Sequence, residues 1–325
     1  MKNELYLLKF EPILKEKIWG GSKLKSLFNK KTISDKTGES WEISDLENDT
    51  SIVSNGDLKG RSLKWLLEQY KEELVGKKVF ENFGLKFPLL IKYIDAAENL
   101  SIQLHPNDKI AKEKHNSFGK TEMWYIMQAD NDAELILGFE EPISKSRYVE
   151  LVEKNELPDS LNKVKVNVGD AFIIPPGLVH AIGKGVVLAE IQQTSDVTYR
   201  IYDWDRETIS GQKRELHTNL ALEAIELSNK NGHKIDYAIS NNSTSNIISS
   251  KYFKTNIVAI EGELTKDYSQ IDCFFILMGV EGESFVHLEN GNCEILKQGE
   301  TLLIPALASK IKINSKGAKI LEVSV

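Results

Sequence analysis

Apolar and polar residues alternate over short stretches along most of this 325-residue chain. "PLLIKYIDA", "LSIQLH", "EMWYIMQA", "AELILGF", "KVKVNVGDAFIIP" and "GVVLAEIQQ" are rich in β-branched or aromatic residues and bounded by turn residues, which marks them as strands. Many short strands at close spacing predict a sandwich or a barrel. The helical period is rarer. It is clearest in "SLKWLLEQYKEEL", where Ser62 can cap and Leu63, Leu66, Leu67, Tyr70 and Leu74 form one apolar stripe. A second helix is expected in "RELHTNLALEAIELS", ahead of the Asn- and Ser-rich stretch "AISNNSTSN" at 238–246, the candidate linker.

The strand pattern also repeats. "VGDAFIIPPGLVH" (168–180) has an echo in "QGETLLIPALASK" (298–310), with Gly169 answering Gly299 and Pro175 answering Pro305. Upstream, "EMWYIMQ" is answered by "DCFFILM", which sets Glu122 opposite Asp272. Two copies of one β unit explain both matches. Lys310 stands where His180 stands, so the second copy is expected to keep the scaffold without the chemistry.

Composition narrows the function. A net charge of −7 argues against nucleic acid as a partner, because binding a phosphate backbone needs clustered positive charge. No uncharged stretch approaches the roughly 20 apolar residues that cross a bilayer. Glu4, Lys9 and Glu11 interrupt the first apolar run, so no signal peptide is expected there. Cys273 and Cys293 are too few for a disulfide framework. A soluble, cytoplasmic protein is the expectation.

Candidate chemistry starts in "SIQLHPND" (101–108). In an extended strand Gln103 and His105 face the same side. The spacing Gly169, Pro175, Gly177, His180 presents a second histidine just beyond a tight turn. Lys120 and Glu122, two residues apart, fall on one strand face. In "VTYRIYDWD" the residues Thr198, Arg200 and Tyr202 share a face, as do Glu190 and Gln192 on the stretch before it. His115, His217, His233 and His287 have no such company and receive no chemistry.

The glycine–proline–histidine spacing resembles the second motif of the cupin superfamily, whose small antiparallel barrels often hold one metal. The Gln-x-His pair in place of the usual His-x-His resembles the type I phosphomannose isomerases. "KIWGG" (17–21), "GESWEIS" (38–44), "GKTEMWYI" (119–126), "PPGLVHAIG" (175–183) and "EIQQTSDVTYRIYDWDR" (190–206) extend that resemblance along nearly the whole chain, as in the compact bacterial members. "QLHPND" replaces the usual "QVHPDD", and Ile182 stands where the longer members have tyrosine.

The resemblance implies a mainly β fold of two cupin-type antiparallel β-barrels, jelly-roll-like, with a few short helices. It places a catalytic metal-binding domain with helical insertions at 1–237 and a metal-free cupin-like domain at 238–325. Gln103, His105, Glu122 and His180 become ligands of one divalent metal, with zinc the family's implication. Ligand type alone also admits manganese, iron, cobalt or nickel. Lys120, Arg200 and Trp19 are expected to bind substrate, while Glu39 and Trp41 read equally as core or pocket wall.

The implied reaction is the interconversion of mannose 6-phosphate and fructose 6-phosphate through an enediolate. The partner is then a small-molecule sugar phosphate, and monomer and homodimer both fit the sequence. Arg200, Lys120 and Glu190 are the catalytic candidates. The base stays open among Glu190, Lys120 and a water on the metal. Two rivals share the motifs: another metal-dependent cupin enzyme, such as an oxygenase, and a non-catalytic sugar-phosphate-binding cupin.

Overall fold

The structure, a computed structural model, describes residues 4–207, 211–228 and 232–325. It opens with β1 (Ile13–Gly21), α1 (Lys23–Phe28), β2 (Thr37–Ile43) and a two-residue ladder of β3 (Asp45–Leu46) and β4 (Asp49–Thr50). Next come α2 (Leu63–Tyr70), α3 (Glu72–Val75), α4 (Lys77–Phe83), β5 (Leu89–Ala96), β6 (Ile102–Leu104), α5 (Asp108–His115), β7 (Glu122–Ala129) and β8 (Glu134–Phe139). Then α6 (Lys145–Glu153) precedes β9 (Leu161–Lys165), β10 (Ala171–Ile174), β11 (His180–Ile182), β12 (Val186–Gln193), β13 (Tyr199–Tyr202) and α7 (Thr218–Ala224). Strands β14 (Lys234–Ile235), β15 (Ser243–Ser249), β16 (Lys254–Asp267), β17 (Phe275–Leu288), β18 (Cys293–Lys297), β19 (Thr301–Ile304) and β20 (Lys310–Ser324) complete it.

The chain is mainly β, but the expected cupin-type barrels are not there. Hydrogen bonding gives open antiparallel sheets: seven strands in the order β1-β2-β5-β12-β7-β10-β14, five in the order β13-β6-β11-β8-β9, and six built on β15-β16-β20-β17-β18 with β19 beside β17. In none of these is the first strand of the order paired with the last. Closure requires a particular tilt and stagger of the strands, and alternation along a sequence carries neither. The seven-stranded sheet instead ends at a two-residue strand, β14, and a short edge strand limits unwanted pairing.

Alternation in the three central strands builds two cores. Leu89, Ile91 and Tyr93 of β5, Met123, Tyr125 and Met127 of β7, and Val187, Ala189 and Ile191 of β12 pack on one side, against the α2–α4 helices and residues of β16, β17 and β20. The alternate residues face the five-stranded sheet, where Ile94, Trp124, Ile126 and Leu188 meet Leu135, Leu137 and Ile182. The outer face of that second sheet is covered by α6 and α7, through Tyr148, Leu151 and Ala221. A fourth cluster fills the six-stranded sheet. The space between the first two sheets is where the polar candidates converge.

Several local expectations change. The helix expected over 62–74 breaks at Lys71, whose backbone is left-handed (φ 46°), into α2 and α3, although Ser62 caps as expected by accepting from the Trp65 N–H. Only 218–224 of the second expected helix is helical. Residues 243–246 of the polar stretch open strand β15, which runs on to Ser249, an edge strand whose exposed alternate positions suit Thr244 and Asn246. The internal repeat has a structural counterpart, since β10 pairs with β7 and β19 pairs with β17, each entered after a left-handed glycine, Gly169 or Gly299.

Candidate active site

The candidate site is assembled by strand register. On the five-stranded sheet, Gln103 lies directly opposite His180 on one neighbour and Arg200 on the other. On the seven-stranded sheet, Trp41, Lys92, Glu190 and Trp124 stand in one row across four strands, with Glu122 one step along, opposite Gln192. A bulge between Arg200 and Tyr202 shifts the register. Arg200 and Thr198 therefore line the cavity, while Tyr202 packs edge-on against Trp204.

His105, Glu122 and His180 are fully buried and bring one potential ligand atom each to within 4.8 Å of the others. Among the described residues this is the only such cluster of three or more His, Cys, Asp or Glu. Each histidine directs its Nδ1 at a backbone carbonyl, His105 to Val197 at 3.0 Å and His180 to Leu178 at 2.9 Å. With Nδ1–H donating there, the Nε2 lone pair faces the cluster, the tautomer a metal ligand needs. Burial, and then the charge of Lys120, pushes the His105 imidazole down to about 3. Its Nε2 contact with Glu122 Oε1 at 3.3 Å is therefore between a neutral ring and a carboxylate. Burial also lowers His180.

Three atoms of this cluster are orphaned: His105 Nε2 and both oxygens of Glu122 are buried with no hydrogen-bond partner. Lys120 Nζ lies 2.9 Å from Glu122 Oε1, at ion-pair distance but outside hydrogen-bond geometry. Burial alone would raise the Glu122 carboxyl, yet the charge of Lys120 holds it well below the usual carboxylate range. Unpaired buried acceptors are costly, and two neutral nitrogens with one carboxylate form a donor set suited to a divalent metal ion. The residues fit such an ion. Gln103 presents Nε2 to His180 Nε2 at 3.5 Å and takes a hydrogen bond from Ser101 Oγ on Oε1 at 3.3 Å. Half a turn of this amide would bring its oxygen to the cluster and leave Nε2 facing Ser101.

The cluster opens onto a cavity of about 310 Å³, within the range of small-molecule sites. Trp19, Glu39, Trp41, Lys120, Glu190 and Arg200, all singled out from the sequence, line it. Lys92, Lys17 and Arg214 line it too, and the sequence reading missed them. Lys92 had a legible signal: a lysine in the middle of the largely apolar run "PLLIKYIDA".

Two carboxylates share Lys92. Its Nζ donates to Glu190 Oε1 at 2.9 Å, and Trp124 Nε1 donates to Glu190 Oε2 at 2.9 Å. Glu39 accepts from Trp41 Nε1 and pairs with Lys17 at 3.1 Å. Burial by itself would lower Lys92, but Glu190 and Glu39 hold it protonated. The split is uneven. Lys92 and Lys17 lower Glu39 against the effect of burial, whereas burial, followed by the charge of Glu122, pushes Glu190 up.

Arg200 forms no ion pair with Asp196 or Asp203. Its Nη1 donates to the Glu215 carbonyl at 3.0 Å, and its Nε is buried without a partner. His217, assigned no chemistry from sequence, brackets the Arg200 backbone by accepting from its N–H at 3.1 Å and donating its own N–H to its carbonyl at 2.7 Å. Among the described residues no helix is long and apolar enough to cross a membrane.

Comparison with known proteins agrees with this geometry. Residues 7–139 match the family model described as phosphomannose isomerase type I, catalytic domain. The chain is 37% identical over 307 residues to the mannose-6-phosphate isomerase ManA of Bacillus subtilis, covering 94% of each. It is 34% identical over 291 residues to the mannose-6-phosphate isomerase of Streptococcus mutans, covering 89% of each. The fold matches a crystal structure of mannose 6-phosphate isomerase from Bacillus subtilis with a TM-score of 0.88 at 34% identity, over 98% of this chain and 99% of that one.

Proposed function

The chain belongs to the type I phosphomannose isomerase family, and from that premise we propose that it is a metal-dependent aldose-ketose isomerase interconverting mannose 6-phosphate and fructose 6-phosphate. The observation that carries this reading is the buried His105, Glu122 and His180 cluster, with orphaned ligand atoms, opening onto a cavity that also holds Arg200. We assign Gln103 as the fourth ligand and zinc as the metal. A divalent ion held there would supply positive charge that stabilises a developing enediolate.

The remaining work falls to side chains. The reaction removes the C2 proton, spreads the electron pair left behind over C1, C2 and their oxygens, and returns a proton to C1 while the O2 hydroxyl proton passes to O1. Glu190 is the proposed base. Lys92 and Trp124 hold both its oxygens in place, and its raised pKa makes it a better proton acceptor than an ordinary carboxylate. Lys120, fixed beside Glu122, is placed to donate to the sugar oxygens at the metal end. Arg200, with a buried N–H unpaired, is the proposed contact for the phosphate. Trp19 is a wall for the sugar ring.

In this reading residues 1–237 carry the chemistry and residues 238–325 are a metal-free support. Two unpaired thiols, Cys273 and Cys293, suit a cytoplasmic location. The test is a coupled assay for fructose 6-phosphate formed from mannose 6-phosphate by metal-loaded protein. Steady turnover supports the isomerase. Thermal stabilisation by the sugar phosphate without product would leave only a binding protein, and iron-dependent oxygen consumption would make it an oxygenase.

A further inference from the structure

The ligand cluster and Glu190 leave Arg214 without a role. Arg214 follows β13 in a segment that belongs to neither sheet, yet its side chain lines the cavity together with Arg200. Asp203 brings it there. That carboxylate is 6% exposed, accepts Arg214 Nε on Oδ2 at 2.7 Å and Arg214 Nη2 on Oδ1, and takes Arg206 Nη2 on Oδ1 at 2.6 Å. A two-point fork of this kind fixes the plane of the guanidinium as well as its position.

The two arginines on Asp203 differ in what they have left to offer. Arg206 spends its other donors on backbone, Nη1 on the Asn99 carbonyl at 2.6 Å and Nε on the Asp203 carbonyl at 3.3 Å. It acts as a strut. Arg214 keeps Nη1 without a partner among the described residues. Arg200 reaches the carbonyl of Glu215, the residue next to Arg214, and the two arginines line the same cavity near enough to feel each other's charge. Arg200 also keeps its buried Nε unpaired.

Two guanidinium groups, those of Arg206 and Arg214, thus hold one carboxylate with Arg200 nearby, and the three positive charges exceed Asp203 and Asp196 by one, since the Glu215 side chain is mostly turned to solvent. Burial first, and then the charge of Arg214, weakens the hold of Arg200 on its proton. Like charges held together in a partly buried wall cost free energy in the empty cavity, and a dianion relieves that cost. Phosphate oxygens match the donor edge of a guanidinium.

We propose that Arg214, positioned by Asp203, joins Arg200 in a two-guanidinium clamp for the phosphoryl dianion of the substrate, and so sets the preference for phosphorylated over free sugar. The proposal rests on the isomerase reading for its substrate, though not for its chemistry. Arg214 is the contact, and Asp203 is a positioning residue acting through it.

The experiment compares wild type, Arg214→Ala, Arg214→Lys and Asp203→Asn as metal-loaded full chains. Two readouts are used: the KM and kcat for mannose 6-phosphate, and calorimetric titration with inorganic phosphate. Loss of one charge-assisted fork predicts a KM for Arg214→Ala raised about tenfold or more, with kcat falling by a smaller factor and phosphate binding weakened in parallel. Arg214→Lys recovers part of the loss, because the charge returns without the fork. Asp203→Asn shows the same KM-weighted defect, and if it does not fold Arg214→Ala decides alone. KM and phosphate affinity of Arg214→Ala within about twofold of wild type, less than the ~1.4 kcal/mol of a tenfold change, would overturn the clamp, as would wild-type protein that fails to bind inorganic phosphate. A protein that binds phosphate through Arg214 but never isomerises the sugar would sink the isomerase reading and leave the clamp standing.

Discussion

Replacing Lys92 with methionine isolates the electrostatics at the centre of the site. Methionine keeps an unbranched stem of similar reach, so packing against Trp41, whose ring lies 5.2 Å from Nζ, is largely retained. What disappears is the ammonium serving both Glu190 and Glu39, whose side chains are 4% and 12% exposed. Breaking a buried pair by removing one partner costs about 3–5 kcal/mol, because the survivor is left charged and unpaired. Glu39 keeps Lys17, so most of that cost falls on Glu190. At roughly 2 °C per kcal/mol for a chain of this size, the melting temperature should drop by about 6–10 °C. The deficit should shrink as pH falls. Without Lys92 the folded-state pKa of Glu190 moves further above its unfolded value, so the folded variant takes up a proton that the unfolded chain does not hold, and stability is lost as pH rises through that folded pKa. Adding Glu190→Gln removes the stranded charge while keeping an acceptor for Trp124. Urea unfolding of the two single variants and the double variant should therefore give a coupling of at least about 1.5 kcal/mol. A Lys92→Met cost below about 1 kcal/mol, or additive single and double variants, would refute this account of the row.

Two further changes probe the chemistry and the frame. Glu190→Gln removes the proposed base while preserving the bond from Trp124, so kcat should fall about 10²- to 10⁴-fold with metal content unchanged; near-normal turnover would move the proton to Lys120. Gly20→Ala adds a methyl that meets the backbone of Gly38 and Lys36 beside Trp19. It should cost about 1–3 kcal/mol in a denaturant titration by overpacking, and an unchanged midpoint would mean that this crossing is looser than it looks.

Much of the site was legible before any coordinates. Strands β5, β7 and β12 fall within a residue of the runs that predicted them, because their alternation faces two packed layers with different demands. His105, Glu122 and His180 could be paired across 75 residues because the resemblance to the type I phosphomannose isomerases implies them as one ligand set, whereas strand phase and turn signals mark the histidines only singly. Closure was not legible: alternation states which face a residue takes, not which strand ends meet, so barrels and open sheets share one pattern. Lys71 shows the same limit in a helix, where the apolar stripe runs on through a residue whose backbone turns left-handed. Arg214 was invisible for another reason. It owes its place to Asp203, eleven positions earlier, through an irregular segment with no period to read.

The central claim is that a metal held by His105, Glu122 and His180 drives the isomerisation. Metal-free protein, prepared by chelation and verified by elemental analysis, should be folded and inactive. On back-titration with zinc, conversion of mannose 6-phosphate should rise in proportion to bound metal and level off at about one ion per chain, as one such site requires. Full activity in the verified metal-free protein would contradict the account outright.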